Sequence, residues 1–93
     1  MLIIAHHYIS DPESFWSAAK EVANNVPGNL QLHGVYPAMD GKTGTCLWEA
    51  EHVEEVQQFL DEHAGQFAKN FCYAVDVEKS MGLPKFQMAE VHL

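Results

Sequence analysis

The chain contains no arginine. Its cations are five lysines, Lys20, Lys42, Lys69, Lys79 and Lys85, scattered from end to end. Nucleic acid demands a clustered basic footprint, so DNA and RNA are excluded as partners. Also excluded is the planar, two-pronged grip on phosphate or carboxylate that a guanidinium supplies. Cysteine is scarce: Cys46 and Cys72 lie far apart and form no CxxC. They read as small buried hydrophobes in a reducing, cytoplasmic compartment, with a disulfide or a thiolate metal ligand as the alternatives. No segment approaches the roughly 18 consecutive apolar residues of a membrane helix. The N-terminus has neither a basic stretch nor a small-residue cleavage site, so no signal peptide is expected. GxSxG, GxGxxG and P-loop patterns are missing, which removes the common nucleophile elbow and phosphate cradles.

What remains is an acidic chain of 93 residues, with a formal net charge of −8 and six histidines. That length fits one domain, expected over residues 1–80, with a tail or arm over 81–93. A chain this short often completes its core by dimerising.

The periodicity changes cleanly along the chain. Leu2–Ile9 reads as a strand. Asp11, Pro12 and Glu13 then form a helix start: a cap, a residue suited to the first turn, and a charge that suits the dipole. Phe15, Ala18, Ala19, Val22 and Val26 follow at helical spacing, and Pro27-Gly28 stops them. Leu30–Tyr36 alternates as a second strand, Pro37 to Gly44 forms a turn or hairpin, and Thr45–Ala50 is a third strand. Val53, Val56, Leu60, Ala64 and Phe67 make one apolar helical stripe, and Phe71–Glu78 is a fourth strand. The order βαββαβ predicts a ferredoxin-like α+β sandwich, a four-stranded antiparallel sheet with two helices on one face. The other face then meets water, a ligand or a second subunit. Face-to-face dimerisation into a barrel would bury it.

Adjacent strand residues point to opposite faces, so His6 and His7 must separate. The companions of His6 (Leu2, Ile4, Tyr8) are bulkier than those of His7 (Ile3, Ala5). This favours His6 against the helices and His7 in the open. On the second strand Leu32, Gly34 and Tyr36 are expected to face the helices, and Gln31, His33 and Val35 the open side. A carboxylate costs less in the open, which places Glu49 there and lets Trp48 fill the helix side. His7, His33 and Glu49 then form a candidate ligand set for a divalent transition metal, nickel or zinc. His6, Tyr8 and Trp48 are candidate pocket residues. A Cys46–His33 nucleophile and base pair is conceivable, but no spacing brings those two together. Whether the protein is an enzyme is left open by the sequence.

The stretch TCLWEAEHVEEVQQFLDEHAGQF, residues 45–67, resembles the second half of dimeric α/β-barrel proteins. That superfamily includes the antibiotic-biosynthesis-type monooxygenases. The run Cys46 to Ala50, with Val53, Val56 and Gly65, is also similar to small ferredoxin-like nickel-binding proteins and their uncharacterised relatives. The resemblance implies a homodimer with a pocket between subunits or between sheet and helices. In one branch the ligand would be a divalent metal held by His and acidic side chains. In the other it would be a small aromatic compound, oxygenated without a cofactor. The resulting expectation is a small ligand-binding protein, metal-binding through the open sheet face, with the monooxygenase-like enzyme as the alternative.

Overall fold

A computed structural model of the protein describes residues 1–83. Six elements follow in the order β1 (Leu2–Ile9), α1 (Pro12–Asn24), β2 (Gln31–Pro37), β3 (Thr43–Glu49), α2 (Val53–Ala64) and β4 (Ala68–Ala74). The strands form one sheet in the order β2-β3-β1-β4, with every neighbouring pair antiparallel. This is the ferredoxin-like α+β arrangement. The tail from residue 84 lies outside the described residues.

The local signals act as expected at α1. Asp11 accepts a hydrogen bond from the Ser14 amide at 3.2 Å, and Pro12 occupies the first turn. The β2–β3 hairpin turns at Gly41, whose φ of +74° a side chain would strain. The Trp16 indole donates to Gly41 O at 3.0 Å, tying α1 to that turn. Helix α2 begins at His52 without a side-chain cap, and Glu54 and Glu55 supply the first-turn charge instead.

β2 and β3 shift by one or two residues from the expected bounds, and β4 shifts most. β4 starts at Ala68 and ends at Ala74, three residues before and four residues short of the expected bounds. Helix α2 stops at Ala64, and the Phe67 amide donates to Ala64 O at 3.0 Å. A tight turn there returns the chain to the sheet early, so Ala68 and Lys69 are already paired with Ile9 and Tyr8.

The core lies between sheet and helices. Ile3, Ala5, Cys46, Trp48 and Cys72 project from the sheet against Val56 and Leu60. A second cluster joins Ile9, Phe15, Ala64 and Ala68. The Trp48 ring meets Phe59 edge-on at 5.9 Å, and its indole N–H has no hydrogen-bond partner among the described residues.

Removing buried apolar volume should therefore cost most at the two helix anchors. Phe15→Ala is expected to lose about 3–5 kcal/mol and Leu60→Ala about 2–5 kcal/mol. Urea denaturation checks this, with a change in midpoint at constant slope. The exposed Glu54→Ala should stay within about 0.5 kcal/mol.

Candidate functional site

Strand register decides which side chains meet. β1 pairs with β3 through Ile4↔Leu47, Ala5↔Cys46 and His6↔Thr45, and with β4 through Ile4↔Tyr73, Ala5↔Cys72 and His6↔Phe71. Ile3, Ala5 and His7 are buried to 0–1% exposure beneath the helices. His6, Ile4 and Tyr8 therefore occupy the open face. This reverses the expected order: His7 is the core residue and His6 the open one. The bulk of Leu2, Ile4 and Tyr8 misled, because the core side is closed largely by the helices' side chains over Ile3, Ala5, His7 and Ile9 of β1.

A second reversal comes from a register shift in β2. Leu32 opposes Trp48, yet Gly34 opposes Leu47, so His33 is a bulged extra residue. Parity changes across it. Gly34 and Tyr36 therefore lie on the open face and Val35 opposite Cys46 on the helix side, against expectation. The Tyr36 ring folds back over Gly34, occupying the space that any Cβ there would need.

The open face is consequently a shallow trough with aromatic rims. One row across the sheet is Tyr36, Thr45, His6, Phe71, and the next is Gly34, Leu47, Ile4, Tyr73. Beyond β4 the chain runs on through 75–83 along this face. The Val75 amide donates to Leu2 O at 2.9 Å, and Asp76 holds the turn by accepting from the Lys79 amide. Between this strap and the sheet lies a groove of about 610 Å³, lined by Ile4, Leu47, Tyr36, Tyr73, Met81 and Leu83 with Thr45 among them. Tyr8, Tyr36, Phe71 and Tyr73 are 46–57% exposed. Tyr8 stands on the open face, edge-on to His6 at 4.9 Å, but outside the groove. Trp48, expected as a pocket residue, is sealed on the helix side at 1% exposure.

The expected metal set does not converge. His33 Nε2 and Glu49 Oε1 are 2.9 Å apart at one end of the open face. His7 lies across the sheet from them. His6 shares their face, but its partner Thr45 is four residues from Glu49, about 13 Å along the strand. Among the described residues, a grouping of three potential ligands occurs at Glu51, His52 and Glu55 around the start of α2. There Glu55 already accepts from Asn29 Nδ2 at 2.6 Å.

Sequence reasoning missed a polar chain on the helix side. Asp61 on α2 is a pure acceptor and takes a hydrogen bond from Asn70 Nδ2 at 3.1 Å. Asn70 therefore turns its Oδ1 to His7, whose Nδ1–H donates to it at 2.7 Å. His7 Nε2 is left bare, 3.2 Å from Cys46 Sγ, and accepts the thiol proton. Gln57 braces the chain, donating to Asp61 and to Asn70 O and accepting from the Cys72 amide at 3.1 Å. The histidine of Cys46 is thus His7 and not His33. Burial lowers the pKa of His7, against the raising effect of the Asn70 bond, while His6 lowers it a little further. Burial pushes the Cys46 thiol up to about 12 and the Cys72 thiol to about 11. His7 and both thiols are therefore neutral at pH 7, which suits a structural hydrogen-bond chain better than nucleophilic catalysis. Cys46 and Cys72 both partner Ala5 from opposite sides. Their Cα atoms are then two strand spacings apart, about 9–10 Å, beyond disulfide reach.

The fold and its open, aromatic-rimmed sheet define a ferredoxin-like α+β protein with an uncovered face. No family model, no curated protein and no solved structure matches the chain. No helix among the described residues is long and apolar enough to cross a membrane.

The His7 environment carries a signed pH dependence. A histidine with a lowered folded pKa lets the unfolded chain bind the proton first. Its neutral-form stability is complete above about pH 6.5. It is lost as the pH falls from there toward the folded value. Denaturation midpoints between pH 8 and pH 5 should fall in the acid limb, and His7→Gln should flatten that limb. An unchanged slope in the variant would assign the pH dependence to other groups.

Proposed function

We propose that the protein binds a small, largely apolar ligand in the groove between the open sheet face and the strap 75–83, and does so as a homodimer. The observation that carries this reading is the groove itself. Its volume of about 610 Å³ and its mainly aliphatic and aromatic lining are those of a small-molecule site. The exposed aromatics around it favour a further cover, since a contiguous apolar patch of this kind is costly to leave in water.

A second copy suits that role through shape: two copies stacked face to face about a two-fold axis would each present the same apolar trough to the other. The groove would then become an enclosed interior. Cofactor-independent oxygenation of an aromatic ligand would use this same interior, and it adds the requirement that a bound aromatic be consumed in air.

Two measurements test the reading. Light scattering at micromolar concentration should give twice the chain mass, and a monomer would remove the dimer. An apolar fluorophore such as anilinonaphthalene sulfonate should brighten on binding, and Tyr36→Ala with Tyr73→Ala should weaken its binding several-fold. Unchanged binding in that double variant would move the site elsewhere.

Divalent metal binding remains as a second reading because His33 Nε2 and Glu49 Oε1 already stand 2.9 Å apart. A nickel or zinc ion drawing both as ligands would need further donors from water or from a second copy. Calorimetric titration of chelator-stripped protein should then show saturable binding that His33→Ala abolishes. Equal heats from both proteins would take His33 out of any metal site.

A further inference from the structure

Among the described residues the sheet has two outer strands, β2 and β4, and they meet the solvent differently. On β2 the bulge at His33 and the terminal Pro37 interrupt the row of backbone groups that another strand would use. β4 has no such interruption. Its register against β1 is unbroken from Ile3↔Ala74 to Ile9↔Ala68. From Asn70 to Val75 it carries neither charge nor proline, and Phe71 and Tyr73 are 57% and 46% exposed. An uncharged, β-prone segment at a bare edge pairs readily with a second copy of itself.

The hydrogen bonds show which groups of β4 face outward. The Ser10 amide donates to Phe67 O and the Val75 amide to Leu2 O. The odd-numbered residues of β4 therefore turn their backbone groups to β1, and those of Asn70 and Cys72 turn to the edge. There the Gln57 carboxamide meets both. Its Nε2 donates to Asn70 O at 2.7 Å, and its Oε1 accepts from the Cys72 amide at 3.1 Å. Both directions are fixed, because a carbonyl only accepts and a peptide N–H only donates. The second Nε2 proton goes to the Asp61 carboxylate at 3.1 Å, one helical turn on, which holds the carboxamide in that orientation.

We propose that Gln57 closes the β4 edge: its carboxamide stands in for a fifth strand and keeps a second copy of the chain from adding there. An incoming parallel strand would donate to Asn70 O and accept from the Cys72 amide through one of its residues. Gln57 supplies that donor and that acceptor from within the chain. An apolar side chain of similar length would fill the same space against β4 and leave both groups open. With β2 interrupted and β4 closed, lateral growth of the sheet is shut off on both sides.

The test compares Gln57→Leu with Gln58→Leu, which adds the same apolar group at an exposed position of α2. Circular dichroism melts show whether each variant is folded. The wild-type mass from light scattering is the baseline. From micromolar to millimolar concentration, Gln57→Leu should grow into larger species while Gln58→Leu holds the baseline. Adding Ala74→Pro to Gln57→Leu should restore the baseline. The Ala74 amide also faces the edge, so a proline there removes an edge donor and spares the ladder to β1. Growth that survives Ala74→Pro, or that Gln58→Leu matches, assigns the association to added apolar surface and overturns the proposal. So does a folded Gln57→Leu that keeps the baseline mass throughout. Hydrogen exchange supplies a readout in the wild type itself. The Cys72 amide should exchange as slowly as the ladder amide of Tyr73, and about 10-fold faster in dilute Gln57→Leu, the worth of one hydrogen bond. Exchange of the wild-type Cys72 amide at the rate of an open edge would overturn the proposal whether or not the variant folds.

Discussion

The pairing of β1 with β3 governs both surfaces of the sheet, because two helices can cover only one of them. Once Ala5 lies opposite Cys46, the residues Ile3, Ala5 and His7 turn toward α1 and α2. Their neighbours Ile4, His6 and Tyr8 turn away. A slip of one residue would exchange the faces and put Ile4 and Tyr8 under the helices. The side chains of Phe15, Val56 and Leu60 close over the small Ala5 and the flat His7 ring, which meets Phe15 at 5.1 Å. Larger residues there would hold the helices off. The bulkier set is left for the open face, where it builds the trough.

The fold was legible because its signals are local. The Asp11-Pro12-Glu13 start, the glycine turn before β3 and the apolar stripe from Val53 to Ala64 each act within a few residues. The site was not, and the reasons are specific. Strand alternation says that His6 and His7 separate, but their direction depends on helix side chains more than 50 residues away, such as Leu60. Bulk was the wrong guide, since packing rewards complementarity and not size. The bulge at His33 adds one residue to β2, so every position after it changes face. Nothing in Leu32-His33-Gly34 announces that shift except the glycine, whose missing side chain makes room for Tyr36. Asn70 and Asp61 carry no motif at all. Asn70 meets His7, and carries Asp61 into the chain, because the early start of β4 at Ala68 sets Asn70 opposite His7.

The two faces treat polar groups in opposite ways. On the helix side the run from Asp61 to Cys46 is hydrogen-bonded from link to link, as burial demands, while the Trp48 indole N–H on the same side has no partner among the described residues. The matching also sets the tautomer: an acidic end dictates the orientation of Asn70, and Asn70 dictates which nitrogen of His7 carries the proton. Gln57 extends the pattern to the β4 backbone, so α2 is held to the sheet by polar contacts beside the apolar ones. Such a chain costs more to interrupt than to replace, because any single deletion strands a buried partner.

Adjacent residues thus serve unlike ends for a reason rooted in exposure. His7 has both ring nitrogens engaged, by Asn70 and by Cys46, and burial favours its neutral form. It cannot take up a proton without charging the core. His6, one residue earlier, lies within hydrogen-bond distance of Thr45, meets the Tyr8 ring edge-on and keeps contact with water. The buried histidine is thus committed to packing, while the open one faces whatever the trough meets.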